Sequence, residues 1–341
     1  MIAERLTAQL LAGAPAPDPV AVAERLLAVQ AQDPRGVRLA VRARTEGLHA
    51  ADVDHSLTVD RSLVITWLNR GTLHLVRSED YPWLQALTTR PLFTANARRL
   101  EQTGVTPRAA ERGVAVIERS LAREGPLTRE ELGERLAAAK VPTKGQALVH
   151  LLMLASLRGL TVRGPMVEKR HAFVLVRDWI GEPRPVDRER ALAELARRYL
   201  AGHGPASDRD LAKWAGLPLR DVRTGLTAIA SEQEQRRDGL LVLARRPPAA
   251  DLPPPRLLGA YDPLLVGWTS REPLLGAHQN HVIVEGLFRP FALVRGRAVA
   301  TWRLQGGVVG LEPFRPLPRT VAAALEADAR DVVRFLGARV H

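Results

Sequence analysis

An eight-residue motif occurs twice in the chain, and it constrains the fold more than any other feature of the sequence. GPLTREEL at 125–132 recurs as GPASDRDL at 204–211, so both copies fit the pattern GPx[TS]xx[ED]L. In each copy the hydroxyl residue, Thr128 or Ser207, can cap a helix N-terminus, and the acid three positions later can complete a capping box. The repeat therefore predicts two similar helical units.

The residues after each copy predict a second helix. A short break, 139–142 in the first copy and 216–218 in the second, separates the capped helix from another amphipathic segment. In the second copy the apolar positions share one helical face, which leaves Arg220 and Arg223 facing outward. These apolar positions are Val222, Leu226 and Ile229.

A β-hairpin is predicted after each second helix. In the first copy strands over 160–163 and 173–176 flank the turn dipeptide Gly164-Pro165, and in the second copy Asp238-Gly239 opens a strand over 240–244. Helix, turn, helix and hairpin is the order of a winged helix, whose second helix typically enters a DNA major groove. A winged helix can also serve protein contacts alone, so the order leaves both uses open.

The pattern changes to short strands beyond the proline-rich segment 245–256. A terminal amphipathic helix follows the strands, with Val321, Leu325, Val332 and Leu336 on one side. This spacing predicts a small barrel or curled sheet. The strands are predicted at 257–258, 264–267, 282–285, 291–294 and 298–303, the last two joined by the turn Arg295-Gly296.

We predict an α+β fold of tandem winged-helix (helix-turn-helix) domains followed by a small C-terminal β-barrel. The length of 341 residues is enough for several domains with sizeable cores. The predicted domains are a winged-helix-like domain with connecting helices at 1–120, winged-helix domains at 121–186 and 187–248, and the barrel with its terminal helix at 249–341.

Charge and composition narrow the function classes. Lys and Arg number 49 against 37 Asp and Glu, for a net charge of +12, and all but four of the cations are Arg. Such an excess is typical of proteins that bind nucleic acid or an anionic surface. A GC-rich genome would also write Arg for Lys, which leaves an ordinary solvated surface as the alternative.

Several classes of site are excluded or lack support. With no Cys, the chain has no disulfide, thiolate metal site or Cys nucleophile. The motifs GxxxxGK[ST], HExxH, GxSxG and GxGxxG are also absent, so we expect no metal and no nucleotide cofactor. No apolar run reaches about 18 residues and the N-terminus does not read as a signal peptide, so we expect a cytoplasmic protein that does not enter a membrane.

A glutamine pair follows the first well-marked helix. Asp18 and Pro19 form an N-cap and first-turn pair, and Pro34 predicts that the helix ends near Gln30. In an extended chain positions i and i+2 point to the same side, so Gln30 and Gln32 can aim two carboxamides at one spot. This pattern alone is weak support for catalysis.

Four stretches in order resemble one family. They are LLAVQAQDPRGVRLAVRAR, RGTLHLV at 70–76, the GPAS..DLAKWAGL element and FRPFALVRGRAVATWR near the C-terminus. Together these stretches resemble the winged-helix DNA glycosylases of the AlkZ and YcaQ type, and the match runs through nearly the whole chain. The resemblance implies three tandem winged helices and a C-terminal β-barrel.

The resemblance also implies an activity. That family excises bulky N7-alkylguanine lesions and interstrand crosslinks made by DNA-alkylating natural products, with a catalytic Gln-x-Gln or Gln-x-Asp where this chain has Gln30 and Gln32. The two-glutamine form is similar to the antibiotic self-resistance branch. The implied partner is double-stranded DNA carrying alkylated guanine, and nothing in the sequence demands more than a monomer.

The chemistry does not need a strong base. N7-alkylated guanine is cationic, so it leaves readily as a neutral base through an oxocarbenium-like transition state. Two carboxamides can orient water and present dipole oxygens to that charge. No Lys nucleophile is needed, so we predict a monofunctional glycosylase without lyase chemistry. Asp33 could assist as a nearby negative charge, although we favour its other role, capping the helix that starts near Arg35.

Ten residues are predicted to bind DNA, each with a structural alternative. His74 could contact phosphate or the lesion, or make a hydrogen bond at a strand end, and the loop 271–281 could reach a groove or lie in solvent. Any one of the cations on the first wing and on the later second helix could be inert, namely Arg163, Lys169, Arg170, Arg220 and Arg223. The ten residues are Arg70, His74, Arg77, Arg163, Lys169, Arg170, Arg220, Arg223, His278 and Gln279.

Two other functions remain open from the sequence. A winged-helix transcriptional regulator without catalysis would account for the repeat and the arginine excess, and so would a scaffold that uses winged helices for protein contacts. The glutamine pair favours the glycosylase, because a repressor has no use for two carboxamides in its cleft.

Overall fold

The structure is a computed structural model that describes residues 1–167, 170–182 and 185–337. The chain forms two compact units. Unit 1 consists of Met1–Val53, Leu192–Trp214 and Pro218–His341, and unit 2 consists of Asp54–Ala191 with Ala215–Leu217. Helices and strands occur in both, so the predicted α+β class is confirmed.

The helices of the described residues are numbered in chain order. They are α1 (Ile2–Ala8), α2 (Pro19–Leu26), α3 (Pro34–Arg42), α4 (Ala50–Thr58), α5 (Tyr81–Thr88), α6 (Leu92–Gln102), α7 (Pro107–Glu124), α8 (Arg129–Ala138), α9 (Ala147–Leu157), α10 (Val176–Trp179), α11 (Arg188–His203), α12 (Asp208–Ala215), α13 (Leu219–Ala228), α14 (Pro263–Val266), α15 (Glu272–Leu275), α16 (Gln279–Val282) and α17 (Arg319–Leu336).

The strands are numbered in the same way. They are β1 (Val29–Gln30), β2 (Leu63–Leu68), β3 (Thr72–Arg77), β4 (Thr161–Val167), β5 (Arg170–Leu175), β6 (Gln233–Gln235), β7 (Leu241–Leu243), β8 (Arg256–Leu258), β9 (Ile283–Val284), β10 (Leu287–Phe288), β11 (Phe291–Val294), β12 (Arg297–Gln305) and β13 (Val308–Pro313).

The first repeat lies in unit 2 and has the predicted order of elements. Thr128 and Glu131 form the capping box at the start of α8, and α9 and the antiparallel pair β4–β5 follow. Leu127, just before the cap, exchanges main-chain hydrogen bonds with Phe173 of β5 at 2.7 and 3.1 Å. The hairpin is thereby joined to the helix that precedes it.

The predicted turn of that hairpin is wrong. Gly164 and Pro165 lie inside β4, at a bulge where the register with β5 shifts between Arg163 and Met166. Gly164 is required there for close approach, because an added Cβ would lie 2.4 Å from the indole nitrogen of Trp179. The strand therefore continues past the dipeptide.

The second repeat lies in unit 1 and reproduces the first. Ser207 and Asp210 form the capping box, with the Asp210 carboxylate accepting from the Ser207 main chain at 2.9 Å and from its hydroxyl at 2.8 Å. Ala206, at the position equivalent to Leu127, bridges to Leu241 of β7. The predicted apolar face of α13 is buried, and Arg220 and Arg223 are exposed.

The C-terminal strands of unit 1 form an antiparallel sheet in the order β13-β12-β11-β8. Two-residue turns with both residues at positive φ join β11 to β12 at Arg295-Gly296 and β12 to β13 at Gly306-Gly307. Such turns match the twist of the strands they connect. Helix α17 contacts β8 and buries Leu325, Val332 and Phe335.

Two predictions for this region are corrected. Among the described residues the sheet is open, since β8 and β13 are its edges, so no closed barrel is seen. Residues 264–267 belong to helix α14 and its C-cap instead of a strand. The reason is local: the Asp262 side chain accepts from the Leu264 N–H at 2.9 Å and Pro263 occupies the first helical position, which starts a helix.

Candidate active site

The segment that carries the glutamines turns sharply before it reaches them. Asp18 caps α2, accepting from the Ala21 N–H at 2.7 Å, as predicted. The helix ends at Leu26, four residues earlier than predicted, because Leu27 takes a left-handed conformation with φ 64°. The chain then extends, and Gln30 lies in the two-residue strand β1.

The two glutamines lie in different environments. Gln30 is 6% exposed, and within the described part of the chain its Oε1 has no hydrogen-bond partner. Gln32, two residues on, is exposed. A buried oxygen that accepts no hydrogen bond lowers the stability of the fold by on the order of 1–3 kcal/mol. The folded chain therefore retains an acceptor at Gln30 for which it supplies no donor among the described residues.

Asp33 caps the next helix. Its carboxylate accepts from the Gly36 main-chain N–H at the start of α3, as we favoured, and the helix begins at Pro34. Gly36 is in turn packed against the main chain at 259–261, because an added Cβ would lie 2.4 Å from the carbonyl oxygen of Ala260. The N-terminal end of α3, directly after Gln32, is therefore fixed on the segment before α14.

Two arginines, at and just after the C-terminal end of α3, form ion pairs with other parts of unit 1. Arg42 donates to Asp331 at 2.9 Å and also to Asp328, both on α17. Arg44, which is fully buried, forms a two-pronged pair with Asp262, with both N···O distances at 2.9 Å. Removing one partner of a buried pair typically costs about 3–5 kcal/mol, and this applies to the Arg44–Asp262 pair. The Arg42 pair with the half-exposed Asp331 contributes less to the position of α3.

His278 and Gln279, which were predicted to lie in a loop, lie in a helical stretch of unit 1. Residues 272–282 form short helical turns, and the imidazole of His278 stacks on Phe314 with ring centroids 4.7 Å apart. Gln279 is exposed at the start of α16. The two-stranded hairpin follows directly as β9 and β10, joined by Glu285-Gly286 with φ values of 50° and 81°.

The predicted arginines of α13 present their side chains to solvent. Arg220 is 85% exposed with Asp221 at 3.1 Å, and Arg223 is 61% exposed with Asp208 at 2.8 Å. Exposed ion pairs of this kind contribute little to stability. Both guanidinium groups can therefore exchange a carboxylate for a phosphate at small cost.

The arginines of the β4–β5 hairpin in unit 2 differ from one another. Arg163 is partly buried, with its guanidinium 4.8 Å from the ring centroid of Trp67 and 4.9 Å from that of Phe173, and desolvation lowers its pKa to about 10. Arg170 is exposed, 3.4 Å from Glu130. Lys169 lies outside the described residues.

The remaining predicted residues lie on the β2–β3 hairpin of unit 2. His74 is 1% exposed and its Nδ1 is 3.0 Å from the Thr72 carbonyl oxygen, while burial and the charge of Arg70 lower its pKa to about 3. The ring is therefore neutral at physiological pH. Arg77 contacts Asp80 at 2.7 Å, and Arg70 lies at the turn with φ 57°.

Sequence and structure comparisons place the chain in a family. A family model described as "DNA glycosylase AlkZ-like" matches residues 23–335. The chain belongs to the AlkZ-like family of DNA glycosylases. It is 28% identical over 372 residues to an "Interstrand DNA cross-link repair glycosylase" of Streptomyces sahachiroi, covering 99% of this chain and 96% of the relative.

A solved structure is similar over the same extent. It is the Streptomyces sahachiroi DNA glycosylase AlkZ, with a TM-score of 0.80 and 25% identity, covering 99% of this chain and 96% of that one. The α+β fold of this AlkZ-like chain is thus shared with a DNA glycosylase. Within the described residues, no helix is long and apolar enough to cross a membrane, and no group of three potential metal ligands comes together.

Sequence reasoning assigned no individual role to three residues that form a cluster in unit 1 of this AlkZ-like chain. Tyr261 follows the carbonyl that packs on Gly36, its ring lies 5.3 Å from that of Phe288, and the Arg271 guanidinium lies 5.1 Å from the Phe288 ring centroid. Phe288 and Arg271 fell within stretches singled out from the sequence, whereas Tyr261 did not. The Asp-Pro helix start at 262–263 was the available signal, because it places Tyr261 at the end of the preceding loop.

Proposed function

We propose that this AlkZ-like chain is a monofunctional glycosylase that hydrolyses the N-glycosidic bond of bulky N7-alkylguanine adducts, with Gln30 and Gln32 as the catalytic residues. The observation that carries this assignment is the buried Gln30 Oε1, which has no donor within the described residues. Buried acceptors normally receive a hydrogen bond. A buried acceptor without one, within a Gln-x-Gln motif that resembles that of a glycosylase family, is therefore a candidate functional group.

The reaction assigned to this site is a dissociative hydrolysis. The bond between C1′ and N9 of the cationic base breaks, its electron pair neutralises the departing N7-alkylguanine, and an oxocarbenium-like sugar remains. Water adds to C1′ and releases a proton to solvent. Gln30 places the negative end of a carboxamide dipole against the developing charge, and the exposed Gln32 orients the water.

The fold supports a duplex as the partner. Both repeats contain a capped helix, a second helix, a β-hairpin and a β-bridge from the residue before the cap to that hairpin. We assign both as winged helices. The second helix of the later repeat carries Arg220 and Arg223 on its exposed face. The net charge of +12 favours a polyanion. We assign no cofactor, a single chain as the active form and the cytoplasm, where chromosomal DNA is accessible, as its location.

The substrate class includes crosslinks and natural-product adducts. The interstrand DNA cross-link repair glycosylase of Streptomyces sahachiroi is similar over nearly the whole chain, so we extend crosslink processing to this protein. The Gln-x-Gln form indicates resistance to a genotoxic natural product.

The test is base release from a defined duplex. Wild-type protein incubated with DNA carrying a single bulky N7-guanine adduct should release the modified base and leave an alkali-labile abasic site, without a borohydride-trapped protein–DNA crosslink. Release of no base would contradict the assignment, and a trapped crosslink would contradict the monofunctional mechanism. A transcriptional regulator would instead footprint one operator with a large specificity ratio.

A further inference from the structure

Tyr261 is a partly exposed residue with a strained backbone conformation. Its φ is 57°, a left-handed conformation that is costly for a residue with a Cβ. Gly259 and Asp262 beside it are buried, whereas Tyr261 is partly exposed. Strained residues persist where the surroundings over-determine them, and they cluster at ligand-binding sites.

The surroundings of Tyr261 hold it from both sides. On one side the Ala260 carbonyl packs on Gly36, four residues after Gln32. On the other side Asp262 is locked into the fully buried pair with Arg44. Burial raises the pKa of the Tyr261 phenol, and the negative charge of Asp33 raises it further. The phenol is therefore neutral at physiological pH. Tyr261 is thereby fixed next to the glutamine segment.

A second aromatic ring extends the same surface. Phe288, the last residue of the β9–β10 hairpin, lies 5.3 Å from Tyr261 with the planes tilted by 43°. Arg271 covers Phe288 and is itself held by a 2.6 Å hydrogen bond from its Nε to the Leu265 carbonyl. We call Tyr261 and Phe288 the aromatic pair. Because a cation already covers Phe288, the ring left for a ligand is that of Tyr261.

We propose that Tyr261 selects the cationic, N7-alkylated purine by stacking, as a specificity-determining residue of the glycosylase site. An aromatic face attracts a cation positioned over it, and it also stacks on any base. Guanine carries a full positive charge only after N7 alkylation, so a ring beside the reacting sugar favours damaged over undamaged DNA. This inference rests on the proposed function, because it assumes that the substrate base enters beside Gln30 and Gln32.

The test compares binding to damaged and undamaged duplexes. The probe is a duplex with one 2′-fluoro-N7-methylguanine, a cationic analogue that resists hydrolysis, and its partner is the same duplex with guanine. The measured quantity is the ratio of the two dissociation constants. Tyr261→Leu should lower the wild-type preference by about fivefold or more, within the range of a cation–π contact. Tyr261→Phe keeps the ring and should retain the preference.

Two further variants keep the result interpretable. Phe288→Leu leaves the Tyr261 backbone in place and should weaken the preference in the same direction, which covers the case in which Tyr261→Leu does not fold. Leu252→Ala, at an exposed position on the proline-rich segment, should bind both duplexes as wild type does. Circular dichroism melting of every variant verifies folding.

The failure of this inference differs from the failure of the proposed function. If the wild type prefers the cationic duplex and Tyr261→Leu keeps the full preference, Tyr261 is not a specificity residue, although the glycosylase assignment stands. If the wild type releases no base and shows no preference, both are overturned. Equal loss of affinity for the two duplexes in Tyr261→Leu would also overturn the inference, because it indicates a general DNA contact.

Discussion

At the scale of single residues, Gln30 and Gln32 share one sequence motif but differ in burial. Their i and i+2 spacing was visible in the sequence, but the burial of Gln30 and the exposure of Gln32 were not. Burial depends on how the main chain leaves α2, and this is decided by the left-handed Leu27, which no local rule for a leucine predicts. The Asp33 cap, by contrast, depends only on residues 33–36 and could be predicted.

Two buried histidines make stability depend on pH. Burial lowers the pKa of His203, in the core of unit 1 beside Tyr199 and Trp214, to about 3, as it does for His74. The unfolded chain binds these protons near pH 6.5, so stability is fully present above that pH and declines as the pH falls toward 3. At pH 5 each histidine should cost about 2 kcal/mol.

Urea denaturation at pH 7 and pH 5 measures this loss. His203→Phe keeps an aromatic ring in the stack and removes the titrating group, so it should lose about 2 kcal/mol less than wild type between the two pH values. His55, an exposed histidine, is the matched control, and His55→Phe should behave as wild type. An equal pH dependence for wild type and His203→Phe would contradict the assignment of a neutral buried imidazole.

At the scale of secondary structure, the signals confined to a few residues were reliable. Both capping boxes and the Arg295-Gly296 turn could be predicted, because each depends on fewer than five residues. The Gly164-Pro165 turn and the strand at 264–267 were mispredicted. The first failed because a distant indole determines the need for glycine, and the second because the Asp-Pro start of a four-residue helix was overlooked.

The second capping box does more than start a helix. Ser207→Ala should cost about 1 kcal/mol, the usual value for losing an N-cap. Asp210→Ala should cost more, because the other carboxylate oxygen accepts from Thr269 through its N–H at 2.8 Å and its hydroxyl at 2.6 Å. Urea unfolding of the two variants tests this order, and equal costs would contradict the second role of Asp210.

Two helical glycines should respond in opposite ways to alanine. Gly36→Ala places a methyl group 2.4 Å from the Ala260 carbonyl, which must move, so we expect a loss of about 1–3 kcal/mol and lower base release. Gly133→Ala, in α8, meets only the Leu148 side chain at 3.1 Å, and should change stability by less than about 1 kcal/mol. Unfolding free energies and release rates check both, and a neutral Gly36→Ala would contradict the close packing of α3.

At the scale of the whole molecule, the net charge predicts the class of partner, but it does not predict which charged residues are exposed to that partner. The excess of +12 predicted a polyanionic partner. It could not show that Arg163 packs against two aromatic rings, or that Arg220 and Arg223 are exposed, because the distribution of charge depends on tertiary structure. Only the exposed arginines are expected to release counterions on binding.

DNA affinity should therefore fall steeply with salt. Each phosphate contact contributes about 0.9 to the slope of log K against log salt concentration, so Arg220→Ala and Arg223→Ala should each reduce the slope by about one. Arg135→Ala is the control, since Arg135 lies on α8, the first helix of its repeat, and not on the second helix that is assigned to the groove. Fluorescence anisotropy between 50 and 200 mM salt gives these slopes, and unchanged slopes for both α13 variants would remove α13 from the interface.

The central claim is that the two glutamines carry out base excision. The most direct measurement is the single-turnover rate of base release, with the protein in saturating excess over an N7-guanine adduct duplex. It is made for wild type, Gln30→Ala, Gln32→Ala and the exposed control Gln102→Ala. We predict that each of the first two variants lowers the rate by about 100-fold or more, the effect typical of removing one preorganised dipole, while Gln102→Ala matches wild type. Release by Gln30→Ala and Gln32→Ala at the wild-type rate would contradict the account.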